Sequence, residues 1–119
     1  MEIWHNPRCG KSRAALEMAK SQESDLEVRL YLQNPPKIEE LKALLKKLKI
    51  SAIELVRTKE PEWESVGYDA NWTEDQILDA LIRYPILIER PILISGKKAI
   101  IGRTEEALAG FFHKDGSGK

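Results

Sequence analysis

What restricts this chain most is the order in which strand-type and helix-type patterning follow one another. Strand-forming residues fall at 2–4 and 27–32 near the start and at 91–94 and 99–101 near the end, with helical periodicity between and after them. The order is β-α-β, a helical block, then β-β-α. It predicts an α/β sandwich with a small mixed sheet flanked by helices. Pro7 and Gly10 make the turn after the first strand, and a helix follows over 12–21 with Ala15, Met18 and Ala19 on one face. Val28, Leu30 and Leu32 share one side of the second strand. Asn34-Pro35-Pro36 stops that strand and starts a helix, because proline is tolerated in a first helical turn. Ile38, Leu41, Leu44, Leu45 and Leu48 form its apolar stripe. Glu39 and Glu40 near its start and Lys46, Lys47 and Lys49 near its end follow the order the helix dipole prefers.

The stretch 51–84 reads as helical throughout. Within it Thr73-Glu74-Asp75-Gln76 has capping-box form, with Thr73 as N-cap and Gln76 reaching back. Pro91-Ile92-Leu93-Ile94, a Ser95-Gly96-Lys97 turn and Ala99-Ile100-Ile101 predict a hairpin. Thr104 caps a final helix. Residues 113–119 read as a disordered tail. The expectation is one domain over 1–112 with a helical insertion at about 51–84 before the hairpin.

Composition excludes several classes. A chain of 119 residues, 42% hydrophobic and 32% charged, suits one globular domain. Lys+Arg and Asp+Glu each number 19, so no global field favours nucleic acid or an anionic membrane. The start, Glu2-Ile3-Trp4-His5, lacks the basic and apolar regions of a signal peptide, and no apolar run approaches the roughly 20 residues of a membrane span. One cysteine makes no disulfide scaffold, so the cytoplasm is the expected compartment. No Cys/His set has metal-ligand spacing, and no glycine-rich phosphate loop occurs.

Chemistry concentrates at Trp4-His5-Asn6-Pro7-Arg8-Cys9-Gly10-Lys11-Ser12-Arg13, where the strand gives way to the helix. A thiol at a helix N-terminus feels the positive end of the dipole and free backbone N–H groups, both of which favour the nucleophilic thiolate. His5 and Arg8 are close enough in sequence to add to this. A lone cysteine cannot complete its chemistry by an internal disulfide, so a partner thiol must finish the reaction. Arg90 before Pro91 and Arg103 after the last strand both sit at element junctions, and Arg57 lies between helical segments. Guanidinium forks suit tetrahedral oxyanions. A thiolate attacking an oxyanion must overcome a repulsion of roughly 4 kcal/mol per charge pair at 4 Å and a dielectric of about 20, which converging arginines offset. The bland readings are that Arg13 is a solvated helix-end charge, Trp63 and Trp72 are packing, Lys42, Lys46, Lys47 and Lys49 form a solvated face, and His113 has no role.

The loop His5-Asn6-Pro7-Arg8-Cys9-Gly10-Lys11-Ser12-Arg13 resembles the active-site loop of the glutaredoxin-dependent arsenate reductases. The resemblance continues through Leu30-Tyr31-Leu32-Gln33-Asn34-Pro35-Pro36, Leu55-Val56-Arg57, Thr73-Glu74-Asp75-Gln76, Pro85-Ile86-Leu87-Ile88-Glu89-Arg90-Pro91-Ile92 and Ile101-Gly102-Arg103, leaving only the tail unmatched. It implies a thioredoxin-like fold. It also implies that Cys9 attacks arsenic to form a thiol–arsenate adduct, that His5 helps keep Cys9 ionised and that Ser12 hydrogen-bonds the sulfur. Arg57, Arg90 and Arg103 match the family's oxyanion-binding arginines, and Pro91 falls where such folds carry a cis proline. Glutathione, as co-substrate, would attack the adduct, and glutaredoxin would reduce the mixed disulfide, with arsenite released. No bound cofactor, metal, nucleic acid or membrane is implied, and the chain is expected to act as a monomer.

Two other readings compete. A general monothiol glutathione-dependent reductase would use the same cysteine but has little need of an oxyanion clamp. A redox-responsive regulator of the same fold, binding RNA polymerase, would carry Cys-x-x-Cys, whereas the fourth position here is Ser12.

Overall fold

The computed structural model describes residues 1–22 and 25–117 and divides into two compact units, Met1–Leu30 with Arg90–Lys119, and Tyr31–Glu89. The first unit carries strand β1 (Glu2–Trp4), helix α1 (Gly10–Gln22) and strand β2 (Glu27–Arg29) from one end of the chain. From the other end come β3 (Ile92–Ser95), β4 (Lys98–Ile101) and the last helix. The sheet order is β2-β1-β3-β4, with β1 and β2 parallel and the remaining neighbours antiparallel. The expected small mixed sheet is present, and its topology is thioredoxin-like.

Register explains the burial. Ile3 and Leu93 stand opposite each other and face Ala15, Ala19, Leu108, Phe111 and Phe112, which together form one apolar cluster. The spacing of Ala15 and Ala19 by four residues places both on one face of α1, and their small side chains let the helix lie close to the strands. Met18, expected on that face, packs against the cluster while only partly buried. Gly96, at φ +60, occupies the tight turn of the β3–β4 hairpin, a backbone region that penalises any Cβ.

Strand β2 is shorter than the expected 27–32. It lies at the sheet edge, Val28 is 43% exposed, and Tyr31, on the opposite parity, is fully buried. The ladder ends where the chain passes into the second unit. Helix α1 begins two residues earlier than the pattern predicted, which brings Cys9 to its very start.

The second unit holds helices α2 (Ile38–Leu48), α3 (Pro61–Ser65) and α4 (Glu74–Arg83), with 3₁₀ turns at Ala52–Leu55 and Pro85–Leu87. Pro35 and Pro36 precede α2 rather than entering its first turn, with Lys37 as N-cap. Leu41 and Leu44 of its stripe are fully buried, and α2 packs on α4. That packing draws α2 into the second unit, which runs from Tyr31 to Glu89. The stretch 51–84 is not one continuous helix. Pro61 restarts the chain at α3, and Gly67, at φ +69, turns it afterwards. The Thr73 capping box forms: Gln76 N–H donates to Thr73 Oγ1 at 3.2 Å and Thr73 N–H to Gln76 Oε1 at 2.7 Å. Trp63 stacks on Tyr68 at 4.9 Å and meets Trp72 edge-on at 6.4 Å, the packing role expected of both tryptophans. Lys42 ion-pairs with Asp75 at 3.2 Å on an exposed face.

Helix α5 (Glu105–Ser117) is capped by Thr104, whose Oγ1 accepts from Ala107 N–H at 3.0 Å. Its backbone carries through 113–117, where a tail was expected, since each residue added to a formed helix gains a hydrogen bond. Residues 118 and 119 of that expected tail lie outside the described residues. No helix among the described residues is long and apolar enough to cross a membrane.

Candidate active site

Cys9 sits at the N-cap of α1: its carbonyl accepts the first helical hydrogen bond, from Arg13 N–H at 2.9 Å. The backbone N–H groups of the first helical turn, which follows Cys9, have no partner within the helix. No acidic residue occupies the first turn to oppose an anion there. Cys9 is partly exposed, so its sulfur is reachable.

The loop before it is held by Asn6, a residue the sequence reading passed over. Asn6 is 3% exposed. Its carbonyl accepts Cys9 N–H at 3.0 Å, its Oδ1 accepts Arg8 N–H at 3.0 Å, and its own N–H donates to Ser12 Oγ at 2.9 Å. The Asn-Pro dipeptide carried the signal, because an asparagine side chain that bonds the backbone two residues on is a turn former.

His5 and Ser12 are brought together, with His5 Nδ1 and Ser12 Oγ hydrogen-bonded at 2.8 Å in a buried setting. Ser12 Oγ thus engages His5 and Asn6, and no hydrogen bond joins it or His5 to Cys9 Sγ among the described residues. Burial pushes the His5 imidazole below its ordinary value. The Ser12 backbone works the other way, and Lys20 and Arg13 add to the lowering. His5 is accordingly neutral near pH 7. Arg8 and Arg13 are exposed; Arg13 reaches the Pro7 carbonyl only at 3.5 Å, in keeping with a helix-end charge.

Arg90 and Arg103 stand at the same edge of the sheet as this loop. Ile92, which opens β3, pairs with both Trp4 and Ile101, and Gly102 N–H donates to the Pro91 carbonyl at 2.7 Å. The Arg90–Pro91 and Gly102–Arg103 steps therefore flank the rung at which β1 passes into His5. The Arg90–Pro91 bond is cis. Arg103 is exposed, whereas Nε and Nη1 of Arg90 are buried without a hydrogen-bond partner. Unmade hydrogen bonds of this kind cost on the order of 1–3 kcal/mol per group, more when charged, so they need an explanation.

The sequence comparison decides the family, since the ArsC family model matches residues 4–111. The chain belongs to the ArsC family. The arsenate reductase of Neisseria meningitidis is 41% identical over 108 residues, which cover 89% of this chain and 92% of that relative. An arsenate reductase of Escherichia coli is 39% identical over 94 residues, 78% of this chain and 67% of that one. A solved arsenate reductase from Vibrio cholerae, 33% identical, matches with a TM-score of 0.86 over 92% of this chain and 97% of its own.

In this ArsC-family chain Arg57 belongs to the second unit. Its N–H donates to the Leu87 carbonyl at 2.7 Å, beside an antiparallel bridge between Val56 and Ile88. Its guanidinium is already met by carboxylates, with Nη1 at 2.6 Å from Glu60 Oε1 and Nε at 3.9 Å from Glu89 Oε1. Glu89 carried no sequence signal, because the bridge brings it to Arg57, whereas Glu60 stands only three residues along the chain from that arginine. No group of three or more His, Cys, Asp or Glu that could hold a metal occurs among the described residues.

Proposed function

We propose that this chain reduces arsenate to arsenite through a covalent intermediate on Cys9. The Cys9 thiolate attacks arsenic(V), an S–As bond forms, and a protonated arsenate oxygen leaves as water. The thiol of glutathione then attacks the Cys9 sulfur. The S–As bond breaks with its electron pair passing to arsenic, so arsenite leaves and a Cys9–glutathione disulfide remains. A glutaredoxin thiol attacks the glutathione sulfur of that disulfide and returns Cys9 as the thiolate. The two electrons gained by arsenic come from two thiols, and no resident cofactor enters.

The observation that carries the reading is Arg90, whose Nε and Nη1 are buried and unfilled, at the sheet edge where the Cys9 loop begins. General disulfide exchange has no use for such a group, which favours an oxyanion over a neutral disulfide as substrate. Arg103 and Arg57 join Arg90 in this reading on the family resemblance, and His5 and Ser12 keep the Cys9 loop in shape.

The test couples arsenate reduction to NADPH oxidation through glutathione, glutaredoxin and glutathione reductase. Cys9→Ser abolishes turnover, and Arg90→Ala lowers kcat/KM for arsenate by about 10²-fold, the scale of one lost charge-stabilising donor set. Normal turnover by Cys9→Ser would exclude the mechanism.

A further inference from the structure

On Arg90, Nε and Nη1 are buried and unpartnered. On Arg57, Nη1 also lacks a hydrogen bond but lies 2.6 Å from Glu60 Oε1, and Nε lies 3.9 Å from Glu89 Oε1. A guanidinium grips an oxyanion in bidentate fashion through one of two forks, Nε with one Nη or the two Nη together. Glu89 sits against the first fork of Arg57 and Glu60 against the second.

The backbone fixes this arrangement. Arg57 N–H bonds the Leu87 carbonyl at 2.7 Å and Glu89 N–H bonds the Leu55 carbonyl at 2.8 Å, on either side of the Val56–Ile88 bridge. Arg57 and Glu89 are therefore diagonal neighbours on one face, within reach for long side chains. Glu60 is the N-cap of α3, yet its side chain makes no capping bond there. That carboxylate is turned to Arg57 instead.

The charges are not surface ornaments, because Arg57, Glu60 and Glu89 side chains are only 27, 23 and 13% exposed. Both carboxylates oppose an anion that approaches Arg57. The 2.6 Å contact with Glu60 is also misaligned, leaving Nη1 without a proper hydrogen bond. A well-placed oxyanion oxygen would make that bond, so the carboxylate is a replaceable occupant and not an optimal one.

We infer that Glu60 and Glu89 are positioning residues that restrain Arg57 from anion capture, so that Arg57 engages the oxyanion only by displacing a carboxylate. This rests on the reading of the arginines as oxyanion ligands. The two carboxylates tune affinity: they weaken retention of any tetrahedral anion by Arg57.

The experiment titrates inorganic phosphate, a tetrahedral anion that thiols do not reduce, into the full chain and reads Kd by NMR. Glu60→Gln, of nearly unchanged shape, tightens Kd by about three- to tenfold, and Glu89→Gln, farther from its nitrogen, by about twofold. The gain disappears when Arg57→Ala is added, and Glu60→Asp, which keeps the charge, returns Kd toward the parent value. KM for arsenate falls in step with Kd. Unchanged or weaker binding by Glu60→Gln overturns the inference, as does a gain that survives Arg57→Ala and so reflects net charge alone. Arg90→Ala is run beside them; if it leaves phosphate binding intact, the oxyanion reading itself falls.

Discussion

A buried, neutral histidine should make the stability of this protein depend on pH in a direction fixed by linkage. His5 is 5% exposed, and burial holds its imidazole below the ordinary 6.5. In the unfolded chain the same group titrates near that ordinary value. Below pH 6.5 the unfolded state therefore binds a proton that the native state resists, and stability falls as pH falls. It is fully present above 6.5 and declines until the native state's own pKa is passed. The steepest slope is about 1.4 kcal/mol per pH unit, so the loss between pH 7.5 and 5.5 reaches at most about 1.4 kcal/mol. The assay is urea unfolding at both pH values for the parent and His5→Asn. Asparagine can keep the hydrogen bond to Ser12 but cannot titrate. Carboxylates and His113 are common to both proteins and cancel in the double difference. The parent should lose more stability on acidification than His5→Asn does. Equal losses, or a smaller loss in the parent, would refute the reasoning.

Two further outcomes concern backbone positions. A Cβ on Gly102 would lie 2.7 Å from Leu108 Cδ2 and 3.0 Å from Leu93 Cδ1, both in the packed cluster, so Gly102→Ala should destabilise by about 1–3 kcal/mol in a melting or denaturant series. Lys49 ends α2 in the left-handed region at φ 59, where glycine is the relaxed choice, and Lys49→Gly should raise stability by roughly 0.5–1 kcal/mol, seen as a higher Tm.

The elements legible in the sequence were those whose signal is local. The Thr73–Gln76 box, the Thr104 cap and the Gly96 turn each carry their own chemistry within four residues, and each formed where expected. The family resemblance likewise rested on short strings spread over the chain, and the ArsC match spans 4–111. What escaped was set by tertiary context. Val28 looked like a core-facing strand residue, but an edge strand has a neighbour on one side only, and it is 43% exposed. The stretch 51–84 had helical composition, yet Pro61 and the Gly67 turn divide it. Glu89 was invisible because only a β-bridge between distant segments makes it a neighbour of Arg57.

The neutrality of His5 also changes where positive potential at Cys9 must originate. An imidazolium would have supplied a full charge near the sulfur, but burial opposes that form, and the ring's Nδ1 is engaged with Ser12. What remains in the first unit is the helix N-terminus at Cys9, the loop and helix cations Arg8, Lys11 and Arg13, and the guanidinium groups of Arg90 and Arg103. The first is built into the backbone and is present whether or not an anion is bound. On the proposed function, the buried Arg90 donors find their hydrogen bonds when one arrives. His5 and Asn6 then serve by shape: through Ser12 Oγ they close the loop on the first turn of α1, holding Cys9 at the one position where the dipole acts on it. On the proposed function, reactivity at the sulfur and affinity for the anion thus come from different parts of the fold, and a variant should lose one while keeping the other.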